Sequence, residues 1–261
     1  MRLRWMIGDI RDRDRLRRAM EGVDVVIHAA ALKRIEVGHY DPGEMIKTNV
    51  DGTRNVIEAA LDAGVSRVVG LSTDKAWRPV SPYGQSKALA ESLILAANRQ
   101  YGTRTKYACT RYGNIAGSAG SVIPAWRSLI AAGAREVPVT DPEATRFWMK
   151  IDEAVQLVDA AVELMPDNLL IPEGLPAYRV GDLAEAMGVG MRITGLPAWE
   201  KLHEGLRDGL TSDQARRMSV AELKAGLPAL RIPAHSARVS QQSVLNDKSK
   251  LRQRITNPLV G

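Results

Sequence analysis

The sequence predicts an α/β fold, a doubly wound parallel sheet with a small C-terminal lobe, from three observations. Short apolar, β-branched runs alternate with helical patterns over the first 115 residues. The segments between these runs are long enough to hold a helix, which is how parallel strands are joined. Apolar residues make up 45% of the chain and charged residues 25%, which is ordinary for a globular protein and excludes disorder and low complexity for most of the 261 residues.

The elements of the sheet follow in order along the first part of the chain. Apolar runs predict strands over residues 3–7, 23–30, 65–71 and 105–111. Helical spacing of apolar residues predicts helices over 14–21, 42–63 and 81–101, and Gly64 stands where glycine commonly ends a helix. Parallel sheets of this kind bind ligands at the carboxyl ends of their strands, so the loops after the strands are where we expect chemistry.

The pattern changes after residue 112. Three glycines and two serines between 113 and 121 predict a loop of small residues, and helices are expected over 122–132, 152–164, 180–187 and around 199–206. Residues 133–147 read as a loop with a short apolar run, and short strands are expected from 169. From residue 226 the chain is polar, and we expect a mobile tail.

Charge and cysteine content narrow the class of protein. Lys and Arg number 36 against 30 Asp and Glu, but the arginines at 11–18 alternate with aspartates, which is typical of a solvated face, so we expect no nucleic-acid binding. No apolar run reaches the ~18 residues of a membrane span. Cys109 is the one cysteine and no secretory signal opens the chain, so we expect a cytoplasmic protein without disulfides. The four histidines lack ligand spacing, and no metal site is expected.

Tyr83 and Lys87 form the first candidate for chemistry. They are four residues apart at the start of a predicted helix and therefore share one face. A nearby ammonium favours phenolate, so we expect the pKa of Tyr83 to fall towards neutral pH and the phenol to act as a base on a sugar hydroxyl. The alternative is an exposed helix pair without function. The position of the pair, one short loop after a buried strand, favours function.

The strand that precedes this helix ends in Ser72, Thr73, Asp74 and Lys75. Adjacent opposite charges in Asp74 and Lys75 allow acid and base work from one loop. The alternative is a surface ion pair, which contributes only ~0–1 kcal/mol to stability.

These residues carry a resemblance to a known family. The chain resembles the extended short-chain dehydrogenases/reductases and, within them, the polysaccharide-biosynthesis group of UDP-N-acetylglucosamine 4,6-dehydratases. The resemblance implies a Rossmann-type sheet, here N-terminally truncated. The matching segments run in family order over residues 7 to about 205, and they are 8–12, 28–33, 47–53, 71–75, 83–87, 111–114, 117–124, 140–142, 145–148, 152–155 and 200–204.

The resemblance implies a division of the chain and a reaction. Residues 1–115 with 148–170 would form an NAD(P)-binding domain, and residues 116–147 with 171–225 a substrate-binding lobe. Tyr83, assisted by Lys87, would take the proton of the sugar's C4 hydroxyl, with Thr73 bonded to the C4 oxygen. Lys75 would remove the C5 proton and Asp74 would protonate the departing C6 hydroxyl. The Asp-Lys pair implies inversion at C5.

The resemblance also assigns binding residues, a cofactor and partners. NADP or NAD is the implied cofactor, a UDP-sugar the implied substrate, and a homo-oligomer the implied assembly. Asp9 and Ile10 would contact the adenine, and Asn49 would anchor the loop and helix of the active site. The remaining cofactor residues would be Ala29, Ala30, Lys33, Ser72, Tyr83 and Lys87, and the substrate residues would be Lys33, Asn114, Ser121, Val122, Arg146 and Glu200. Amides at the start of the helix from Val122 are a reasonable seat for phosphate.

The family pattern opens with a strand and a glycine-rich turn that holds the cofactor's pyrophosphate, and nothing similar precedes Met6. We therefore expect a fragment, a mis-assigned start, or a protein completed by another chain, and the choice between NAD and NADP stays open. Two rival functions also stay open. One is a nucleotide-sugar 4-epimerase or reductase, which needs no Asp-Lys pair. The other is a non-catalytic nucleotide-sugar-binding relative.

Overall fold

A parallel four-stranded sheet forms the centre of the molecule. The computed structural model describes residues 4–101 and 103–230. The sheet has the order β1 (Val25–His28), β2 (Arg67–Leu71), β3 (Lys106–Thr110) and β6 (Leu169–Leu170), and all three strand pairs are parallel. The predicted α/β fold class and three of the four predicted strands are confirmed.

Helices cover both faces of this sheet because residues of β2 and β3 alternate between two cores. On one face Val68, Tyr107 and Cys109 pack against the helices α1 (Arg13–Ala19), α4 (Gly52–Asp62) and α5 (Pro82–Tyr101). On the other face Val69 and Ala108 pack against α7 (Ile151–Leu164). The sheet is therefore doubly wound.

The helix predicted over 42–63 contains an irregular turn. It begins as α3 (Pro42–Ile46), passes through a π-helical turn at Lys47–Asp51 and continues as α4 to Asp62. Gly64 follows with φ of +71°, which glycine adopts at no steric cost. Such π-turns often occur at functional sites, and this one contains Asn49. A further short helix, α2 (Ile35–Tyr40), was not predicted.

The rest of the described chain builds three two-stranded sheets around a second core. They pair β4 (Glu136–Val139) with β8 (Gly190–Ile193), β5 (Thr145–Phe147) with β7 (Ala177–Arg179), and β9 (Gly205–Arg207) with β10 (Leu210–Thr211). The helices of this part are α6 (Val122–Ala131), α8 (Val180–Ala186) and α9 (Val220–Gly226). Trp126, Trp148 and Leu183 are among its buried residues.

Several predicted elements are wrong. Residues 4–7 form no strand: Trp5 and Ile7 are exposed, and a strand needs a neighbour for its backbone hydrogen bonds. Residues 133–147 contain β4, whose residues alternate in burial, and β5, whose three residues are all buried. No helix forms over 199–206, because the polar side chains there make contacts with distant residues.

The polar tail was also placed too early. Leu227 is buried against the second core and its carbonyl accepts a hydrogen bond from Arg127, so residues 226–230 belong to the folded part. The remainder of the predicted tail, residues 231–261, lies outside the described residues. Among the described helices, none is long and apolar enough to cross a bilayer.

Candidate active site

The residues that follow β2 form a tight turn at the carboxyl edge of the sheet. Ser72 N–H donates to the carbonyl of Thr110 at 2.7 Å and Asp74 N–H to that of Tyr112 at 2.9 Å, so the strand pairing continues past the last residue of β2. A 3-10 turn, Asp74–Ala76, then begins, and the Thr73 hydroxyl accepts from Lys75 N–H at its start. The backbone therefore fixes where Asp74 and Lys75 lie.

Asp74 and Lys75 belong to a buried cluster of charges. Asp74 is fully buried, and its Oδ1 accepts from Thr73 Oγ1 at 2.9 Å and from Lys75 Nζ at 3.1 Å. Lys75 Nζ also lies 3.2 Å from Glu204 Oε1. Glu204, 2% exposed, pairs in turn with Lys201 at 2.9 Å. This geometry excludes the alternative of a solvated surface ion pair.

Burial and charge shift the pKa values of this cluster. Burial raises the pKa of Asp74. The Lys75 ammonium opposes this rise, and the Glu204 carboxylate adds to it. Burial would lower the pKa of Lys75, but the carboxylates of Asp74 and Glu204 outweigh it and the pKa rises. Burial would raise the pKa of Glu204, but Lys75, Arg146 and Lys201 bring it down to about 2. Glu204 is thus the anion of the cluster at every ordinary pH.

The cluster can exchange a proton internally. Asp74 Oδ2 is buried and has no hydrogen-bond partner among the described residues. Moving one proton from the Lys75 ammonium to the Asp74 carboxylate converts an ion pair into a carboxylic acid and a free amine. The two neutral groups are the acid and the base that an elimination requires.

Tyr83 and Lys87 lie at the start of α5, as predicted, but Lys87 does not lower the pKa of Tyr83. The Ser81 hydroxyl accepts from Gly84 N–H at 3.1 Å and Pro82 opens the helix, which fixes its first turn. Burial raises the pKa of Tyr83 to about 12, and the cation that opposes this is Lys75. The Lys87 ammonium donates to the carbonyl of Leu71 at 2.6 Å. The predicted fall of the Tyr83 pKa through Lys87 is therefore wrong in this structure.

Asn49 connects three segments of the candidate site. Its amide bonds both the N–H and the carbonyl of Leu32 at 2.8 Å, and it donates to Ser86 Oγ of α5 at 2.9 Å. Its own carbonyl accepts from Thr53 Oγ1, which lies 3.0 Å from the ring of His28. Asn49 is 1% exposed and holds the chain after β1 against the helix that carries Tyr83. The anchoring geometry expected of Asn49 is present.

A cleft of about 320 Å³ opens beside the turn and is large enough for part of a nucleotide sugar. Of the predicted substrate residues, Asn114, Ser121, Val122, Arg146 and Glu200 line it. Lys75 lines it as well, and it is the one predicted catalytic residue that does. The buried Asn114 Oδ1 has no hydrogen-bond partner in the described part of the chain, so it is available to a ligand.

Two predicted substrate residues pair with each other. Arg146 donates to Glu200 Oε1 at 2.5 Å and also to the carbonyls of Thr145 and Leu202. Lys33 does not line the cleft; its ammonium donates to the carbonyl of Ala119 at 2.7 Å, in the small-residue loop.

The predicted cofactor residues lie near the carboxyl ends of β1 and β2. Ala29 and Ala30 are exposed directly after β1, and Ile10 packs against Gly52 of α4. Asp9 is held by Arg11, which lowers the pKa of its carboxyl to about 2. The Ser72 hydroxyl is buried and has no partner among residues 4–101 and 103–230. An orphaned hydroxyl at the end of β2 fits a polar ligand at this edge of the sheet.

Sequence reasoning missed several residues of the cleft. Glu204 and Lys201 were identified only as part of a matching segment, and neither was assigned a role in the site. Trp199 stacks on His39 of α2, with ring centroids 4.5 Å apart, and lines the cleft with Trp126 and Glu36. No local pattern indicates these contacts, because the partners come from distant parts of the chain.

Comparison with known proteins gives a family match over residues 1–222, to a family described as polysaccharide biosynthesis protein. A UDP-N-acetylglucosamine 4,6-dehydratase (inverting) from Campylobacter jejuni is 44% identical over 205 residues, which are 77% of this chain and 61% of the relative. A UDP-glucose 4-epimerase from Rickettsia canadensis is 42% identical over 71% of this chain and 54% of the relative. The chain thus spans less than two thirds of the length of these relatives.

Among solved structures, a dTDP-glucose 4,6-dehydratase from Streptomyces venezuelae with NAD bound superimposes with a TM-score of 0.68. The match covers 93% of this chain and 80% of that chain, at 22% identity. At this identity the likeness concerns the fold alone, which agrees with the Rossmann-type sheet.

Proposed function

The chain belongs to the polysaccharide biosynthesis protein family, and from that premise we propose that it is a nucleotide-sugar 4,6-dehydratase acting on UDP-N-acetylglucosamine with inversion at C5. The observation that carries the proposal is the buried Asp74–Lys75 pair beside the cleft. Burying this pair costs free energy, since each ion loses its hydration. A dehydratase has a use for it, because water loss across C5 and C6 needs one base and one acid.

The residues divide the reaction into proton transfers. Tyr83 acts in its phenolate form, which the Lys75 charge and the Thr73 hydroxyl favour, and it becomes a phenol when it receives the proton of the C4 hydroxyl. The Lys75 amine removes the C5 proton, which the 4-keto group has acidified. Asp74, which has taken the proton of the Lys75 ammonium and whose pKa burial raises, gives that proton to the departing C6 hydroxyl. One proton has then passed from C5 to Lys75 and one from Asp74 to water, which restores the ion pair. Once hydride is at C6, C5 takes up a proton from solvent on its opposite face and Tyr83 releases its proton to solvent, so the sum of the steps is the loss of one water.

We propose NAD or NADP as the cofactor, which would accept the C4 hydride and return it to C6. Ser72, Tyr83 and Lys87 would hold its reactive end near the carboxyl end of β2. Ala29, Ala30 and Lys33, with Asp9 and Ile10, would hold the rest. The orphaned Ser72 hydroxyl and the exposed chain after β1 support this placement.

For the substrate, we propose that the diphosphate binds beside Ser121 and Val122 at the start of α6, where the helix dipole favours an anion. The Ser121 N–H already donates to the carbonyl of Ser118, so the amides of the helix itself, from Val122 on, would face the anion. Asn114 would bond the sugar through its unpartnered Oδ1. Arg146 would bind the nucleotide after exchanging its bond to Glu200 for one to substrate. A UDP-sugar is therefore the proposed partner.

The division into an NAD(P)-binding domain and a substrate-binding lobe, at the boundaries given above, is likewise proposed. We further propose a cytoplasmic, homo-oligomeric protein. Sedimentation of the purified chain tests the assembly, and a purely monomeric species would contradict it.

A 4-epimerase is the second candidate, because epimerases are among the relatives. An epimerase needs the Tyr83 chemistry alone and leaves C5 and C6 untouched. The internal acid–base pair has no task in that reaction, so the structure favours the dehydratase.

The test uses the full chain with UDP-N-acetylglucosamine and NAD or NADP in D2O. A 4-keto-6-deoxy product with deuterium at C5 supports the proposal, and a C4 epimer without deuterium supports the epimerase instead. Binding of cofactor and sugar without any product would support the non-catalytic relative.

Two variants sharpen this test. Tyr83→Phe should abolish C4 oxidation, and normal product yield from it would contradict the assigned role. Asp74→Asn should stop water loss, whereas full turnover in Asp74→Asn would favour the epimerase. Glu143→Gln, which removes an exposed carboxylate paired with Arg179, is the matched control and should keep activity.

A further inference from the structure

Lys75 presents a problem for the proposed reaction. A base must be unprotonated, yet Lys75 Nζ lies between two carboxylates, 3.1 Å from Asp74 Oδ1 and 3.2 Å from Glu204 Oε1. Two anions at these distances hold an ammonium firmly in its charged form. Something in the site must therefore control when the amine is released.

Glu204 is the second carboxylate, and it is not part of the Asp-Lys pair that the sequence indicates. It lies directly before β9, its backbone N–H donates to Ser212 Oγ at 2.9 Å, and its carbonyl accepts from Ser212 N–H at 2.8 Å. Its backbone is thus fixed, and its side chain is 2% exposed. Lys201 Nζ forms an ion pair with the other carboxylate oxygen at 2.9 Å and donates to the carbonyls of Asp74 and Trp77.

The other charged and titratable groups facing Lys75 come from each element packed around it. Arg146 of β5 repels its charge, and Tyr83 of α5 and Tyr178 of β7 are close enough to feel it. Arg146 is a cation, and the two tyrosines are neutral near pH 7 in the ligand-free protein because their pKa values are raised to about 12. Asp74 and Glu204 are consequently the two anions that act on Lys75.

We propose that Glu204 is a positioning residue whose carboxylate holds the Lys75 ammonium against Asp74 and so governs when that amine becomes a base. The inference rests on the proposed function, because it gives Lys75 the C5 proton. When Asp74 accepts the Lys75 proton, Glu204 keeps the amine in place through a hydrogen bond. Glu204 also favours the protonated form of Asp74, since two carboxylates close together resist ionising at once.

The test measures the Lys75 amine directly and needs no turnover. The full, ligand-free chain is labelled with trace acetic anhydride across a series of pH values, and the peptide containing Lys75 is quantified by mass spectrometry. Acylation requires the free amine, so the rate reports its fraction. Glu204→Gln keeps the shape and removes the charge, and Glu204→Asp keeps the charge on a shorter stem.

The charge of Glu204 should be what matters. In Glu204→Gln, the midpoint for labelling Lys75 should fall by about 1 to 3 pH units, so labelling below that midpoint should rise about tenfold or more. In Glu204→Asp, and in the control Glu143→Gln, the midpoint for labelling Lys75 should stay near the wild-type value. Unchanged labelling in Glu204→Gln, or an equal rise in both Glu204 variants, would overturn the proposal. A spectroscopic check of folding by circular dichroism accompanies each variant.

Failure of the proposed function gives a different result. If the chain does not convert UDP-N-acetylglucosamine but Glu204→Gln still exposes the Lys75 amine, the control by Glu204 stands and the reaction is wrong. If conversion occurs, Glu204→Gln should also shift the pH–rate profile for C5 deuterium exchange. The limb on which the rate rises with pH, as the Lys75 amine loses its proton, should move to lower pH. A limb that stays in place while conversion continues would overturn the role of Glu204 in the reaction.

Discussion

Gly84 gives the sharpest prediction, because it lies where helix α5 meets the catalytic turn. A Cβ at Gly84 would lie 2.3 Å from the carbonyl oxygen of Lys75 and 3.0 Å from Pro79 Cβ. Neither is the end of a flexible side chain, and real Cβ atoms essentially never approach closer than 3.0 Å. In Gly84→Ala, the helix and the turn must therefore separate by at least about 0.7 Å, which is the difference between the 2.3 Å contact with the Lys75 carbonyl oxygen and the 3.0 Å limit.

This separation acts on the proposed chemistry from both sides. Tyr83 precedes Gly84 on the helix, and Lys75 lies on the turn, so the shift changes the spacing between the two. A misplacement of about 1 Å costs roughly 100-fold in rate, so we expect a loss of about 10- to 100-fold in kcat/KM. Forcing extra volume into a packed site should cost about 1 to 3 kcal/mol of unfolding free energy, more than the ~1 kcal/mol that alanine gains in a helix.

The matched control is Gly43→Ala. Gly43 also lies in the first turn of a helix, directly after Pro42, but its Cβ would meet only Asp41 Oδ1 at 3.5 Å, an ordinary contact. It should stabilise the protein by up to about 1 kcal/mol and keep activity. Urea unfolding followed by circular dichroism measures stability, and formation of the 4-keto product measures activity. If Gly84→Ala is as stable and active as Gly43→Ala, the close packing inferred here is refuted.

Three further predictions concern stability and the rim of the cleft. Glu91→Gln should lower the unfolding free energy by about 3 kcal/mol, because it leaves the largely buried guanidinium of Arg111 without its carboxylate. A loss below about 1 kcal/mol in urea would contradict this. His39→Ala should raise KM for the UDP-sugar more than it lowers kcat, because it removes the ring stacked on Trp199; unchanged KM and tryptophan fluorescence would count against it. The free energy of unfolding should fall by up to about 3 kcal/mol as the pH drops from 6.5 towards 4. Burial, together with the charge of Lys87, lowers the pKa of His28 to about 4 in the folded protein. The unfolded chain therefore binds the proton first, which favours unfolding. His28→Gln should remove this slope, and an unchanged slope in denaturant titrations would refute it.

Local patterns were enough to predict the parts of the fold that depend on neighbours in sequence. The spacing of Val56, Ile57 and Ala60 indicates a helix because those residues share a face, and they do pack into one core. The short run at 3–7 was misjudged, because an apolar run forms a strand only beside a partner strand. Local composition carries no information about that partner.

The candidate site shows the same limit. Asp74 and Lys75 are adjacent, and the strand before them fixes their position, so the sequence indicated both. The contact between Lys201 and the turn joins residues 127 positions apart, and only the folded chain reveals it. The prediction for the pKa of Tyr83 was wrong for a related reason. A shared helix face implies that Tyr83 and Lys87 are close, but it does not show that Lys87 donates to the carbonyl of Leu71. Nor does it show that burial has the largest effect on the pKa of Tyr83.

The charges of the site come from two separate stretches of chain. The turn after β2 supplies Asp74 and Lys75, and the segment before β9 supplies Lys201 and Glu204. Either pair alone would be a net-neutral but partly hydrated couple; brought together they exclude water and the pKa of Asp74 rises. The raised pKa of Asp74 therefore depends on both stretches of chain, because the Glu204 carboxylate adds to the effect of burial.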